Sequence, residues 1–167
     1  RANLNFKFLK YDESITDFLR CIELDNEKEI AKQESLYQEI GEVYEEIGNN
    51  EDALIFYKKE TEISPDYSWG YFNLGRFFRK IDDTRNAEIN YSKAIKIDSL
   101  IPDFYSGRGS FYNDKLIDKF KAIEDLTKAI ELDPENSYYY EQRAKVYADN
   151  DQYQLSIDDY MKCLETD

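Results

Sequence analysis

The sequence predicts an all-α solenoid of antiparallel helix pairs. Three observations carry that expectation: a helical apolar pattern, its recurrence along the chain, and a second pattern ahead of each recurrence. The first pattern is plainest at residues 122–134, AIEDLTKAIELDP, where Ala122, Ile123, Leu126, Ala129, Ile130 and Leu132 fall at three- and four-residue steps. That spacing lines side chains along one face of a helix, so these positions are expected to be buried. Asp133-Pro134 stops the pattern, because proline disfavours helical geometry in the residue before it and cannot continue the ladder.

Related stretches begin at positions 14, 53, 87, 122 and 156, at steps of 39, 34, 35 and 34 residues. A fixed period of this size marks an array of one supersecondary unit, in which each unit packs on its neighbours. The second pattern reads Tyr37-x2-Ile40-Gly41-x2-Tyr44, then Tyr71-x2-Leu74-Gly75-x2-Phe78. It returns as Tyr105-x2-Arg108-Gly109-x2-Tyr112 and Tyr140-x2-Arg143-Ala144-x2-Tyr147, while Arg1-Ala2-Asn3 matches its middle. Aromatic, leucine-glycine and aromatic on a first helix, then alanine, aromatic and proline on a second, resembles the tetratricopeptide repeat, over nearly the whole chain. The resemblance implies one right-handed superhelical domain over 1–167: a partial first repeat with an extended junction (1–33), full repeats at 34–67, 68–101 and 102–136, and a truncated last repeat at 137–167.

Taken in order, Tyr11-Asp12-Glu13 is the first corner. The next interval is five residues longer than the standard one; the extra sequence within residues 26–34 holds good helix formers and no Gly or Pro. It reads as an extension of the second unit's first helix, capped by Asp25 or Asn26, with a looser loop as the alternative. Gly48-Asn49-Asn50 suits a helix C-terminus, Ile81-Asp82-Asp83 is the third corner, and Pro102 suits a first helical turn. The fourth unit carries one extra residue, placed most simply at 114–118. The last corner is Asn150-Asp151.

With 15 Tyr and 10 Phe, most aromatics at repeat positions are expected to be packing residues. The net charge of −14 repels phosphate backbones and argues against nucleic acid as a partner. No run approaches the roughly 20 apolar residues that cross a bilayer, so a membrane role is not expected. The chain starts at Arg1 inside a repeat, which reads as a piece of a longer protein. Cys21 and Cys163 share a repeat position with Ala94 and Ala129, too far apart along a solenoid for a disulfide. Both are expected to be buried, slow-reacting thiols; that fits a reducing compartment, and a cytoplasmic location is the expectation.

Nothing in the sequence supports catalysis. There is no histidine, and Gly107-x-Gly109 lacks the strand and third glycine of a nucleotide loop. No enzyme activity, cofactor or metal is expected. The acidic pairs Glu45-Glu46, Asp82-Asp83 and Asp158-Asp159 read as solvated faces and corners.

The resemblance implies a protein-interaction scaffold whose first helices line a concave groove holding a peptide segment of a partner. Transferred by spacing, the groove residues favoured for binding are Trp69, Phe72, Asn73, Arg76, Arg79, Lys80, Tyr138, Gln142 and Lys145. Repeats that hold chaperone C-terminal tails use lysines and asparagines where this chain has Gln38, Glu42, Asp103 and Gly107; only Asn73 fits, which argues against that ligand. Residues 34–67 carry two basic and ten acidic side chains, whereas 68–101 carry six basic and four acidic. That local basic strip, beside the exposed aromatics Trp69 and Phe72, selects an acidic or aromatic-acidic segment. The alternative is that Arg76, Arg79 and Lys80 pair with acids such as Glu42, Glu45 and Glu46. Two further readings stand beside the scaffold: a sensor or substrate-docking arm of a larger enzyme or signalling protein, and self-association through the terminal repeats.

Overall fold

The computed structural model describes residues 11, 13–21 and 30–166. Among these residues there are helices and turns and no strand. The helices are α1 (13–21), α2 (Ile30–Glu46), α3 (Asn50–Ile63), α4 (Ser68–Lys80), α5 (Thr84–Ile97), α6 (Pro102–Phe111), α7 (Lys119–Leu132), α8 (Ser137–Ala148) and α9 (Tyr153–Thr166). The fold class is therefore all-α, as the periodicity requires. The chain divides into two compact units, Arg1–Leu74 and Gly75–Asp167, a division that falls inside α4.

In the first unit α2 packs on α3. Ile40 and Phe56 form a core with Ile15 of α1, flanked by Phe18, Tyr37, Val43 and Tyr44. The Tyr44 and Phe56 rings stack with centroids 5.5 Å apart. A Cβ at Gly41 would come within 2.9 Å of the Tyr57 ring, so the helices meet this closely only because no side chain intervenes. In the second unit Gly75 stands in the same relation to Tyr91, also 2.9 Å away. There α6 packs on α7 where Gly109 meets the fully buried Ala122 and Leu126, and α7 packs on α8 through Ala129, Ile130 and Tyr139.

The corners follow one design. Gly48, Asp82, Ile117 and Asp151 have positive φ, 81°, 61°, 54° and 57°, and each turns the chain between two helices. The next residue then caps the following helix in three of them: side chains of Asn49, Asp83 and Asp118 accept from the backbone N–H of Asp52, Asn86 and Lys121. The extra residue of the fourth unit is absorbed by a π-helical turn at Tyr112–Leu116, starting two residues earlier than its expected place at 114–118. Wider i→i+5 turns are the way a helix takes in one residue. Pro102 sits in the first turn of α6 as expected. α2 is helical from Ile30, so the end of the 26–34 segment extends it. The suggested caps Asp25 and Asn26, the Arg1-Ala2-Asn3 match and Asp12 of the first corner lie outside the described residues.

Two burial expectations are corrected. Ala122, Leu126, Ala129 and Ile130 are buried, but Ile123 and Leu132 are half-buried, at the edge of the helix face. Cys21 is exposed, and Cys163 is half-buried with its thiol donating to the Ser137 carbonyl at 3.3 Å. The slot that holds both cysteines is closed at Ala129 by Tyr139 of the next helix. Among the described residues no helix follows α9, which leaves Tyr153, Ile157, Met161 and Leu164 more than half exposed. Among the described residues no helix is long and apolar enough to cross a membrane.

Candidate functional site

The second unit holds a recess of about 360 Å3 lined from five elements. α4 contributes Arg79, α6 Ser110, and the π-turn Asn113 and Asp114. α8 contributes Tyr138, Gln142, Lys145 and Val146, with Leu126 at the floor and Asp149 beyond. First helices of successive repeats thus converge here, because residues 34–36 apart in sequence occupy the same helical register. Four of the nine residues expected to bind, Arg79, Tyr138, Gln142 and Lys145, share this one recess.

Its electrostatics are those of paired, solvated charges. Arg79 is ion-paired with Asp114. Lys145 pairs with Glu141 one turn away at 2.7 Å, and this hydrogen bond raises its pKa. Lys119 donates to Asn113 Oδ1 at 2.8 Å and lies 3.6 Å from Asp149. Exposed pairs of this kind are worth about 0–1 kcal/mol, so an incoming carboxylate or ammonium exchanges with them at small cost. Tyr138 is half exposed and stands edge-on to Tyr139, 5.8 Å between centroids, while Tyr139 is anchored by donating to Asp103 Oδ1 at 2.6 Å. A rigid, half-exposed tyrosine beside amide and hydroxyl groups is the composition of a binding hot spot.

The other expected residues do not line this recess. Arg76 and Lys80 are exposed on α4. Trp69, Phe72 and Asn73 belong to the first unit, and two of them correct the expectation of an open face. Phe72 is buried, 8% exposed, edge-on to the half-buried Trp69 at 5.5 Å; covering so large a ring is favourable wherever a neighbour is available. Asn73 is 6% exposed and donates to Glu60 Oε1 at 3.3 Å.

Buried ion pairs are a feature that the periodicity does not anticipate. Arg108 donates twice to Asp125, at 2.8 Å for both bonds, and once to Ser92 Oγ at 3.0 Å. Arg143 repeats this with Asp159, at 2.8 Å for both, and Thr127 Oγ1 at 2.9 Å. Burial pushes the Asp125 carboxyl up while the bonds to Arg108 pull it down. A signal is nonetheless present: the slot that is Ile40 and Leu74 becomes Arg108 and Arg143, and the slot that is Phe56 and Asn90 becomes Asp125 and Asp159. Both change together. Among the described residues no cluster of three or more acidic or cysteine side chains is placed to hold a metal.

Comparison with known proteins matches this frame. Family models described as tetratricopeptide repeat fit residues 34–67, 70–99 and 103–136, and a further one fits 126–158. The chain is 33% identical over 81 residues to the UDP-N-acetylglucosamine–peptide N-acetylglucosaminyltransferase of Giardia intestinalis, a match covering 48% of this chain and 5% of that protein. It is 29% identical over 99 residues to heat shock protein STI1 of Saccharomyces cerevisiae, covering 59% of this chain and 16% of that one. The chain thus spans a small part of the length of these relatives. Among solved structures it is similar to MamA, with TM-score 0.75, 22% identity and coverage of 93% of this chain and 88% of that one. It is also similar to pilF of Pseudomonas aeruginosa, with TM-score 0.74, 23% identity and coverage of 84% and 64%. At these identities the structures speak to the fold.

Proposed function

From the premise that this chain belongs to the tetratricopeptide repeat family, we propose that it is a protein-interaction module that holds a peptide segment of a partner at the recess between α4, α6 and α8. The observation that carries the reading is the convergence of Arg79, Tyr138, Gln142 and Lys145, drawn from separate helices, on one solvent-open recess. Tyr138 is the anchor. Arg79 and Lys145 exchange their internal acids for carboxylates of the segment, so an acidic or aromatic-acidic sequence is preferred. Arg76 and Lys80, exposed on α4, extend the basic strip. The unpaired Cys21 thiol, exposed, fits a reducing, cytoplasmic setting.

The test is selection from a random peptide display library followed by titration of the winners. Selected segments are expected to carry an acid within a few residues of an aromatic. Tyr138→Ala is expected to cost about 2 kcal/mol or more of affinity. Arg79→Glu and Arg76→Glu are expected to weaken binding and flatten its salt dependence, and Trp69→Ala in the same titration tests the first unit. Selected segments that bind all four folded variants like wild type would move the site to another surface.

A second reading, the substrate-docking arm of a larger enzyme, is favoured by the match to a short portion of a peptide-modifying transferase. The sequence of the whole reading frame decides it: a catalytic domain in the same polypeptide supports the docking arm, and its absence leaves the scaffold.

A further inference from the structure

The slot seven residues into each second helix holds Ala94 in α5 and Ala129 in α7, both fully buried, and Glu60 in α3. Facing it, the residue before the signature tyrosine is Phe104 in α6 and Tyr139 in α8, and Gly70 in α4. Small-against-large has become large-against-small. A Cβ on Gly70 would lie 3.1 Å from Thr61 Cγ2 and 3.4 Å from Glu60 Cγ and Cδ, so the space that an aromatic ring takes elsewhere is filled by a carboxylic side chain. Glu60 is fully buried.

Its polar surroundings do not suit a carboxylate. Asn73 of α4 donates one hydrogen bond to Oε1, while Oε2 is buried with no partner. An ionised carboxyl offers about four acceptor sites, and leaving them empty in a buried place is strongly unfavourable. The charges that face it have the wrong sign: Glu34 and Glu42 of α2. Tyr67, in the turn before α4, has its hydroxyl pushed up by burial and by Glu60 and Glu34 in turn. On α3 itself, the neighbouring Lys59 ammonium lies over the Phe56 and Tyr37 rings, 4.9 and 5.8 Å from their centroids.

We propose that the α3–α4 junction is a proton-controlled joint, closed when the Glu60 carboxyl is protonated and loosened when it ionises. The neutral acid fills the Gly70 notch as an aromatic does in the neighbouring repeats; the anion draws water and works against the packing of α4 on α3. Burial is the largest influence on this group and lifts its pKa from 4.5 to about 7, with Asn73 pulling it down and Glu34 and Glu42 pushing it up. The folded value is above the unfolded one, so stability from this group is full below pH 4.5 and is lost as pH rises to about 7, with no further change above. The joint therefore responds around neutrality, independently of what the chain binds.

The test is amide hydrogen exchange of the whole chain, as protection factors corrected for intrinsic rates, at pH 6 and pH 8. Wild type is expected to lose protection in α3 and α4 by up to about tenfold between these values, with α7 and α8 unchanged. Glu60→Gln, isosteric and uncharged, is expected to hold α3 and α4 at the pH 6 level throughout. An α3–α4 pH response that persists in Glu60→Gln overturns the proposal, as does an equal loss in α7 and α8. A carbon-13 titration of the Glu60 carboxyl in wild type gives an answer even if the variant fails to fold: a midpoint near 7 supports the joint, and one near 4.5 overturns it.

Discussion

In the first unit a carboxylate is buried alone; in the second, carboxylates are buried in pairs with arginine. Glu60 has one amide donor and an empty oxygen, whereas Asp125 and Asp159 each take both oxygens' bonds from a guanidinium that also reaches a hydroxyl. All three acids are less than a tenth exposed and lie on the second helices of three different repeats. What differs is whether the facing first helix supplies a counter-charge. Helix α6 supplies one to α7, at the slot where α2 has Ile40. The difference teaches that the repeat frame accommodates a buried carboxyl in two ways: by pairing it with a guanidinium, or by leaving it with a single amide donor.

The hardest way to break the comparison is to unpair the second unit. Asp125→Ala leaves the Arg108 guanidinium, 19% exposed, without its acid. Breaking a buried pair from one side costs about 3–5 kcal/mol. Urea unfolding is expected to show a loss of that size, and Asp159→Ala the same. A loss under about 1 kcal/mol for both would mean that the guanidinium reaches water in either variant.

The lone acid gives the next largest effect. The rise of its pKa from 4.5 to about 7 corresponds to about 3 kcal/mol of stability lost as pH increases across that interval. Because the isoelectric point is about 4.5, measurement begins near pH 5.5, where part of the span remains. The difference between wild type and Glu60→Gln isolates this group from the general repulsion of a chain of charge −14. Curves for the two proteins that run parallel from pH 5.5 to 8 would place Glu60 on the ionised side throughout.

How much of this is legible in the sequence depends on whether a residue follows the period or departs from it. Helices α3, α5, α7 and α9 and the Gly41 and Gly75 contacts follow from the spacing, since a 34-residue step returns each side chain to the same neighbours. Departures are legible only slot by slot. The alignment of Cys21, Ala94, Ala129 and Cys163 suggests a small buried residue, and the same column contains Glu60. Its partner change, Gly70 in a column of Leu36, Phe104 and Tyr139, admits Glu60, and Asn73 donates to that group although spacing alone places Asn73 on an open face. That Arg79, Tyr138, Gln142 and Lys145 share one recess follows from the register of their helices. Cys163 departs from expectation because burial in a repeat comes from the next helix and none follows α9 among the described residues; nothing in the structure explains the exposure of Cys21.

A smaller test concerns the corners. Ile117 occupies the left-handed position, φ 54°, that Gly48 and Asp82 take elsewhere, placed there by the inserted residue upstream. A β-branched residue is disfavoured in that region by about 1–2 kcal/mol, and Ile117 is 74% exposed, so little packing offsets it. Ile117→Gly is expected to stabilise by up to about 1 kcal/mol, less than the full strain because glycine also loosens the unfolded chain. A destabilised Ile117→Gly in thermal unfolding would show that the side chain packs on the π-turn.

The smallest expected effect is the sharpest for the comparison, because it exchanges one solution for another instead of breaking either. Arg108→Leu with Asp125→Asn rewrites the fourth repeat with the residues of the third, where Leu74 and Asn90 stand in these slots. Asn90 shows how the new amide is satisfied: its nitrogen donates to the Asn86 carbonyl one turn back at 2.8 Å, and the carbonyl in the equivalent place is that of Lys121. Ser92 loses the Arg108 bond but is half-buried and can turn to water. Replacing a buried pair by an apolar and a neutral partner is often neutral or stabilising, so the double variant is expected within about 1 kcal/mol of wild type. Against the large loss expected from Asp125→Ala, that result would assign the cost of breaking the pair to the stranded charge. A double variant as unstable as the single one would show that the paired charges hold α6 on α7 in their own right, and the two units would then differ in strength as well as in chemistry.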